Sequence, residues 1–432
     1  MASNEAREPV GIGLLGYGTV GSSVDALLAT RADDIARVVG RPVSVVRALV
    51  RDASRPRARM PTGGLLTESF EQLRDDPRVS VVAEVMGGID PARGYISELL
   101  SRGISVVSAN KQLLARHGEE LWGIAERHGA QLRFEASVCA AIPVVKVLRE
   151  SMLAAGVNEV IGIVNGTTNF ILSAMTNEGQ GYGEALARAQ ELGYAEADPT
   201  EDVNGADAAA KMAILASIAF HAHVRIDQVP HEGIDTLDRV DVSFAHELGY
   251  AVKLLGRAVL GEDGISASVA PTLVPHGHPL ARVEGSFNAV MLRGDAIREV
   301  TLQGPGAGGD ETATAVIGDL LSVVGTRGTG FLQHDGYYRN LPVLAPEEAR
   351  SASYVRLAVD DLPGVLAQLA GLFGAHGISL RTVIQRPRPD GAAELVLLTH
   401  PARIGDLRDA LREVQELDCI RGETRTLRVL SE

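Results

Sequence analysis

The feature that most constrains this chain is a glycine-rich turn between an apolar strand and a helix near the N-terminus. Residues 9–16 read PVGIGLLG, and the turn Gly16-Tyr-Gly-Thr-Val-Gly21 leads into the helical stretch Val20–Thr30. Glycines at this spacing permit a tight turn, a close phosphate approach and a close helix–strand contact. GxGxxG alone is weak evidence, but the flanking strand and helix are the context that a dinucleotide-binding site requires.

Further apolar segments alternate with helical ones up to residue 135. The predicted strands are Pro42–Val50, Val79–Met86, Ser105–Ser108 and Gln131–Glu135, and the predicted helices are Pro91–Arg102 and Lys111–His128. This alternation predicts a doubly wound parallel sheet of the Rossmann type, with its ligand site at the carboxyl ends of the strands. We assign residues 1–142 to this domain, completed by about 306–335, where the turn Gly304–Gly309 leads into the helix Thr312–Val324.

A second constraint is the acidic segment Ala189–Lys211, which reads AQELGYAEADPTEDVNGADAAAK. Asp207 and Lys211 lie four residues apart, on one face of a helix. The usual interpretation is a surface ion pair of about 0.3–0.5 kcal/mol. However, residues 206–220 are apolar on nearly every face, which predicts a buried helix whose charges must be paired or used. A lysine held near carboxylates in such a place can bind a polar substrate or move a proton.

The rest of the chain divides into two parts with a short connection. Residues 143–305 carry short strands and helices and predict an α+β substrate-binding and dimerisation domain. Residues 336–352 are rich in proline and acidic residues and predict a linker. Residues 353–432 have the order βαββαβ, which predicts a ferredoxin-like fold.

These motifs together resemble homoserine dehydrogenase. The family pattern in the acidic segment is filled by Ala189, Gly193, Tyr194, Ala195, Asp198, Pro199, Asp202, Gly205, Asp207 and Lys211. In the tail, Asp361-Leu-Pro-Gly-Val-Leu366 and His376-Gly-Ile-Ser379 resemble an ACT amino-acid-binding regulatory domain, and a plain oligomerisation module is the alternative.

The resemblance implies an NAD(P)-dependent oxidoreductase that interconverts L-homoserine and L-aspartate 4-semialdehyde in threonine and methionine biosynthesis. L-Threonine is then a possible effector through the tail. Two alternatives stay open: a catalytically silent amino-acid-sensing protein on the same fold, and a different oxidoreductase.

The resemblance also implies roles for individual residues. Catalysis falls to Lys111, Lys211 and Asp207, and substrate binding to Gly166, Thr167, Tyr194, Glu196 and Asp202. Cofactor binding falls to Gly16, Gly18, Thr19, Val20, Gly21, Arg51, Arg55, Met86, Gly87, Asn110 and Gly308. A monovalent cation such as sodium is expected at Glu135, Val138 and Ala140, mostly on main-chain oxygens, although Cys139-Ala140-Ala141 is less glycine-rich than the family's loop.

The cofactor preference depends on a basic cluster after the second strand. Arg51, Arg55, Arg57 and Arg59 lie close together in an otherwise acidic chain, and arginine there can accommodate the 2′-phosphate of NADP. Asp52 can instead bind a ribose hydroxyl, which favours NAD, and a solvated basic loop is a third interpretation.

Composition excludes several classes of partner. The net charge of -14 and an aromatic content of 4% disfavour nucleic acid and anionic membranes, and no apolar run reaches membrane-spanning length. The polar N-terminus does not resemble a signal peptide, and the two cysteines, Cys139 and Cys419, are most simply reduced thiols. We therefore expect a cytoplasmic protein, and the apolar strands within residues 143–305 favour a homodimer or homotetramer.

Overall fold

The computed structural model describes residues 8–325 and 339–430. It divides into two compact units, which are treated separately. The first contains Met1–Val157, Ala213–Ile226 and Asn288–Asn340, and the second contains Asn158–Met212, Asp227–Phe287 and Leu341–Glu432. The predicted linker 336–352 and the predicted return segment 306–335 lie partly outside the described residues.

A six-stranded parallel sheet with the order β3-β2-β1-β4-β5-β6 organises the first unit. Its elements are β1 (Val10–Leu15), α1 (Thr19–Thr30), α2 (Ala32–Val39), β2 (Val43–Leu49), β3 (Leu65–Thr67), α3 (Phe70–Arg74), β4 (Val79–Glu84), α4 (Ala92–Ser101), β5 (Ser105–Ser108), α5 (Lys111–Arg127) and β6 (Leu132–Arg133). This is the strand order of a Rossmann-type sheet, and ligands of such sheets bind where the order reverses, between β1 and β4.

The next elements along the chain contribute to both units. They are α6 (Val144–Lys146), β7 (Val157–Ile163), α7 (Gly166–Glu178), α8 (Tyr182–Glu191), α9 (Thr200–Val203), α10 (Ala206–Phe220), α11 (Arg239–Glu247), β8 (Tyr250–Leu260), β9 (Ile265–Pro275), β10 (Phe287–Gly294), β11 (Ile297–Pro305) and α12 (Gly309–Gly325). In the first unit, α12 joins the core of β1 and α1 through Ala313, Val316 and Leu320. In the second unit, β8 pairs antiparallel with β7 and β9.

The tail forms a four-stranded antiparallel sheet with two helices. Its elements are β12 (Arg350–Asp360), α13 (Val365–Ala375), β13 (Leu380–Pro387), β14 (Ala392–Thr399), β15 (Ala402–Arg403), α14 (Ile404–Gln415) and β16 (Arg425–Val429). The two-residue strand β15 pairs with the start of β12 and is not one of the four strands of the sheet. The order β16-β12-β14-β13 is ferredoxin-like, and Leu357, Phe373, Leu397 and Val414 lie in the core between sheet and helices. The predicted fold class is therefore confirmed in all three of its parts.

Within the second unit, the tail continues the sheet of the preceding domain. Strand β16 pairs parallel with β9 at Arg428–Thr272 and Val429–Leu273. The buried carboxylate of Asp241, on α11, accepts hydrogen bonds from Tyr354 Oη at 2.9 Å and from Arg356 Nε at 2.6 Å. Buried charged hydrogen bonds of this kind hold two surfaces in one register.

One predicted strand is shorter than expected. The segment Gln131–Glu135 forms a strand only at Leu132–Arg133, and Glu135–Ser137 is a 3₁₀ turn. The reason is local, because the Glu135 amide donates to Asp319 Oδ2 of α12 at 2.8 Å instead of extending the ladder. Among the residues that the structure describes, none of the helices has the length and apolarity needed to span a bilayer.

Candidate active site

The acidic segment converges on one buried ion pair in the second unit. Lys211 Nζ lies 2.8 Å from Asp207 Oδ2, with side-chain exposures of 11% and 5%. The same ammonium donates to the Val164 carbonyl oxygen at 2.7 Å. The pair therefore differs from the usual exposed ion pair, and removing either partner would leave an uncompensated charge in a buried place.

Asn165 connects this ion pair to the rest of the segment. Its Nδ2 donates to Asp202 Oδ1 at 2.7 Å and to Asp207 Oδ2 at 2.9 Å, while its Oδ1 caps α7 by accepting from the Thr168 amide. The residue type explains the position, since asparagine is favoured at helix N-caps. The N-terminus of α7 is thereby fixed beside two carboxylates and a lysine.

The remaining substrate-binding candidates lie around the same helix start. Gly166 and Thr167 open α7, and Thr167 Oγ1 donates to the Tyr194 carbonyl oxygen at 2.6 Å. Tyr194 is 45% exposed, and its ring lies 4.9 Å from the Phe170 ring, centroid to centroid. Glu196 is an exposed loop residue. The structure thus brings Asp202, Asp207 and Lys211 together and places Glu196 on the neighbouring loop.

The glycine-rich turn of the first unit fits a dinucleotide. Gly16 has a φ of +105°, and a Cβ at Gly21 would lie 2.3 Å from the Gly16 carbonyl oxygen, so both positions require glycine. A Cβ at Gly18 would meet no atom within 4 Å, because the space above it is open. This open side faces a cleft of about 1220 Å³, which exceeds the roughly 300–1,000 Å³ of ordinary small-molecule sites. The residues present therefore fit an elongated cofactor.

Most of the predicted cofactor residues line this cleft. They are Gly16, Gly18, Thr19, Arg51, Arg55, Met86 and Gly87. Four others do not line it, namely Val20, Gly21, Asn110 and Gly308. Gly21 allows helix α1 to pack closely against the turn at Gly16. Asn110 caps α5, because its Oδ1 accepts a hydrogen bond from the Leu113 amide at 3.1 Å.

The basic loop after β2 separates into two kinds of arginine. Arg57 is folded onto its own backbone and donates to the carbonyl oxygens of Asp52, Ala53 and Arg55. Arg59 approaches Asp310 at 3.7 Å. Within the described residues, the side chains of Arg51 and Arg55 make no hydrogen bond or ion pair. Their guanidinium groups are the ones in this loop that are available to an anion.

Asp310 and Glu311, two acidic residues at the start of α12, also line the cleft. Arg59 partly balances Asp310. A Cβ at Gly308 would lie 2.0 Å from Glu311 Oε2, so the glycine allows the carboxylate to fold back over the turn. The two carboxylates at the start of α12 are therefore positioned by contacts with Arg59 and with the turn at Gly308.

The loop predicted to bind a cation contains the buried carboxyl group of Glu135, which lies near Asp319 of α12. Glu135 Oε1 accepts from the Val145 amide at 2.8 Å, and Oε2 accepts from the Lys146 amide at 2.7 Å. Burial, followed by the nearby charge of Asp319, raises the pKa of Glu135 to about 7. Cys139 and Ala140, with φ of 56° and 42°, turn the chain through the left-handed region that glycine normally occupies. Val138 and Ala140 are buried in this turn.

The chain matches known proteins along nearly its whole length. Family descriptions cover it in succession: "Homoserine dehydrogenase, NAD binding domain" over residues 16–135, "Homoserine dehydrogenase" over 143–321 and "ACT domain" over 353–419. A homoserine dehydrogenase of Corynebacterium glutamicum is 45% identical over 408 residues, which are 92% of this chain and 90% of that protein. The chain belongs to the homoserine dehydrogenase family.

Solved structures of the family agree with this assignment. A crystal structure of a homoserine dehydrogenase from Thiobacillus denitrificans matches with a TM-score of 0.92 at 38% identity, over 98% of each chain. A hyperthermophilic archaeal homoserine dehydrogenase in complex with NADPH matches with a TM-score of 0.61 at 27% identity, over 73% of this chain and 98% of that one. The chain is thus an oxidoreductase of this family, with its NAD-binding domain and a C-terminal ACT domain.

Two side chains at the candidate sites are missing from the residues predicted from the sequence. Asn165 is not among the residues predicted to bind substrate, but its side chain bridges Asp202 and Asp207. Its position before an apolar helix is a sequence signal for a cap, although the two carboxylates are not predictable from it. Asp319, which shares a buried contact with Glu135, lies 184 positions away and has no local signal.

Proposed function

We propose that this chain catalyses the NADP-dependent interconversion of L-homoserine and L-aspartate 4-semialdehyde. The observation that carries the proposal is the buried Asp207–Lys211 pair, joined through Asn165 to Asp202, in a chain of this family. A bound nicotinamide would supply the hydride acceptor or donor. As the alcohol carbon of homoserine loses a hydride, its hydroxyl group loses a proton, and the aldehyde forms.

In this proposal the lysines act on the reacting oxygen. Negative charge develops there during the reaction, and a positioned ammonium group stabilises it without reorganisation. Lys211 is suited to this role because Asp207 and the Val164 carbonyl oxygen hold its Nζ in place. Lys111 stands at the first position of α5, directly after β5, where the sheet ends. By resemblance, one of the two lysines passes the hydroxyl proton to solvent.

Substrate recognition is assigned to the start of α7 and the acidic loop. The substrate carries an ammonium group and a carboxylate. Asp202, with Glu196 on the adjacent loop, offers negative charge for the ammonium group. The amides of Gly166 and Thr167 open a helix and can donate to an anionic or carbonyl oxygen. Tyr194 would cover the substrate with its exposed ring.

The cofactor we propose is NADP, with NAD as the alternative. Support comes from Arg51 and Arg55, which line the cleft. The archaeal relative with NADPH is consistent with this choice but lies at 27% identity. A monovalent cation such as sodium is proposed at the loop of Glu135, Val138 and Ala140, where a hard oxygen-rich turn is stabilised by the ion.

The ACT domain is proposed to pair with that of a second copy and to bind L-threonine as an inhibitor. Strand β13 is at the edge of its sheet, and helix α13, with the sequence VLAQLAGLFGA, leaves Leu366 40% exposed. A free edge beside an apolar helix favours pairing of like domains. We propose a homodimer or homotetramer on this basis, and a cytoplasmic location because Cys139 and Cys419 are free thiols.

The deciding experiment is a spectrophotometric assay of NADP reduction with L-homoserine. Lys111→Ala and Lys211→Ala should each lower kcat by about 100- to 10,000-fold, the usual contribution of acid–base catalysis, with unchanged circular dichroism. Lys211→Arg serves as the matched variant, because it keeps the charge beside Asp207 but moves the donors, and it should remain impaired.

Two results would count against the proposal. Near-normal turnover in both alanine variants would remove the lysines from the mechanism. Absence of any turnover in the wild-type protein, with threonine binding retained, would favour the alternative of a catalytically silent amino-acid sensor.

A further inference from the structure

Glu84 is a buried carboxylate of the first unit that the proposed chemistry does not use. It is the last residue of β4, at the carboxyl edge of the parallel sheet, and its exposure is 0%. A buried carboxylate is costly unless its oxygens accept hydrogen bonds. The groups that donate hydrogen bonds to Glu84 therefore indicate its role.

One oxygen of Glu84 holds the loop that follows its own strand. Glu84 Oε1 accepts from the Met86 amide at 3.0 Å and from the Gly87 amide at 3.1 Å. Both residues line the cofactor cleft, and Gly87 and Gly88 have φ values of 71° and 73°. A loop with two left-handed glycines has few conformational restraints of its own, so the carboxylate supplies them.

The other oxygen holds the loop after the neighbouring strand. Glu84 Oε2 accepts from Ser108 Oγ at 2.7 Å, and Ser108 Oγ in turn accepts from the Asn110 amide at 3.1 Å. Asn110 caps α5, whose first residue is Lys111, and its Nδ2 donates to the Gly88 carbonyl oxygen at 2.5 Å. The two strand-end loops are thus joined to each other twice. One connection runs through the Glu84 carboxylate, and the other is the hydrogen bond from Asn110 to Gly88.

We propose that Glu84 is a positioning residue, whose carboxylate fixes the cofactor-binding loop at Met86–Gly88 and the α5 N-terminus that carries Lys111 in one mutual geometry. The inference rests on the proposed function, because it assigns Lys111 to the reacting oxygen. Glu84 itself does not touch substrate, and it acts through the backbone amides that it holds. Misplacement of a reacting group by about 1 Å can lower a rate by about 100-fold, so such a restraint has a measurable effect.

The test compares Glu84→Ala with Glu84→Gln. In Glu84→Gln the amide oxygen can accept from Met86 and Gly87, while the amide nitrogen donates to Ser108 Oγ, whose hydroxyl hydrogen turns away. The two loops stay joined, so kcat and NADPH affinity should remain within about fivefold of wild type, the factor for roughly 1 kcal/mol. In Glu84→Ala every one of these contacts is lost, and kcat should fall about 100-fold, with weaker NADPH binding.

Asp76→Asn is the matched control. Asp76 is a buried carboxylate just before β4, paired with Arg47 at 2.8 Å and Arg78 at 2.7 Å, and it lies at the opposite end of the strand. Removing the negative charge of Asp76 should lower the urea concentration at the midpoint of unfolding without changing kcat or NADPH affinity. If Glu84→Ala does not fold, Ser108→Ala replaces it, since it breaks the same link between the loops and should lower kcat in the same direction.

NADPH affinity is measured by cofactor fluorescence without substrate, so the test does not depend on turnover. Three outcomes overturn the proposal: unchanged kcat and NADPH affinity in folded Glu84→Ala or Ser108→Ala, equal losses in Glu84→Gln and Glu84→Ala, or equal losses in Asp76→Asn. A wild-type protein without homoserine turnover refutes the proposed function instead, and the affinities of the Glu84 variants then decide the positioning role alone.

Discussion

Titration of Glu135 should make the stability of the first unit depend on pH near neutrality. The pKa of this buried carboxyl group is raised from 4.5 to about 7, first by burial and then by the charge of Asp319. Burial also raises the pKa of Asp319. Folding therefore raises the pKa of both groups, and ionisation of Glu135 opposes folding.

The sign and size of the effect follow from linkage. Below about pH 4.5 Glu135 is protonated in both folded and unfolded chains, so its contribution to stability is fully present. As the pH rises from 4.5 to 7, the unfolded chain loses its proton first, and the free energy of unfolding falls. The pKa difference of 2.5, between 7 and 4.5, corresponds to roughly 3–4 kcal/mol at about 1.4 kcal/mol for each pKa unit.

The assay is urea unfolding between pH 5 and pH 8, followed by the emission of Trp122. This is the one tryptophan of the chain, and its ring lies 5.0 Å from that of Phe134, next to Glu135. In Glu135→Gln, the free energy of unfolding should lose most of its dependence on pH. The new amide nitrogen is a donor that faces the donating amide of Val145 or Lys146, so this variant should be less stable at every pH. The slope, not the absolute stability, is the informative quantity.

Cation dependence gives an independent check of the same group. A cation at this loop favours the ionised carboxylate, so sodium chloride should stabilise the wild-type protein more at pH 8 than at pH 6, relative to choline chloride at equal ionic strength. Equal pH slopes in wild-type protein and Glu135→Gln would refute the assignment of a raised pKa. Equal effects of sodium and choline at both pH values would refute the cation site.

Three further predictions follow from single contacts. Replacing Arg51 and Arg55 by alanine should lower kcat/KM for NADPH by about 10- to 100-fold and leave NADH unchanged, because charged hydrogen bonds contribute about 1.5–3 kcal/mol; an equal loss with both cofactors would contradict this. Arg356→Leu should lower the free energy of unfolding by about 3–5 kcal/mol in urea titrations, since Asp241 remains buried with a lost partner. Ala140→Gly, which removes the strain of a φ of 42°, should raise the thermal midpoint through a gain of about 1 kcal/mol.

The sequence predicted those features that local patterns control. Strand β1, helix α1 and the turn between them follow from apolar runs and glycine spacing, and the structure has them within a residue or two of the predicted bounds. The order βαββαβ in the tail follows from its alternating patterns, and it is observed with one addition, the two-residue strand β15 before α14. The buried state of α10 follows from its apolar faces, and Ala208–Phe220 are buried apart from Lys211.

The contacts that could not be predicted join residues far apart in the chain. Glu84 and Ser108 occupy adjacent parallel strands, so their contact depends on the register of β4 and β5. Glu135 and Asp319 meet because α12 returns to the first unit. In each case the residue types have ordinary local interpretations, as a strand end or a helix carboxylate, and only the tertiary fold gives them partners.

The way the ACT domain is attached decides how its regulatory role can be tested. Removing residues after Ala349 would take β16 from β9 and both Tyr354 and Arg356 from Asp241. The remaining chain would expose a strand edge and a buried carboxylate, so loss of threonine inhibition in it would not separate a missing binding site from a damaged domain. Substitutions of exposed side chains that make none of these contacts avoid this problem. Leu366 on α13 and Val383 on β13 are each 40% exposed, and changing them to charged residues would test pairing and threonine binding while the attachment stays intact.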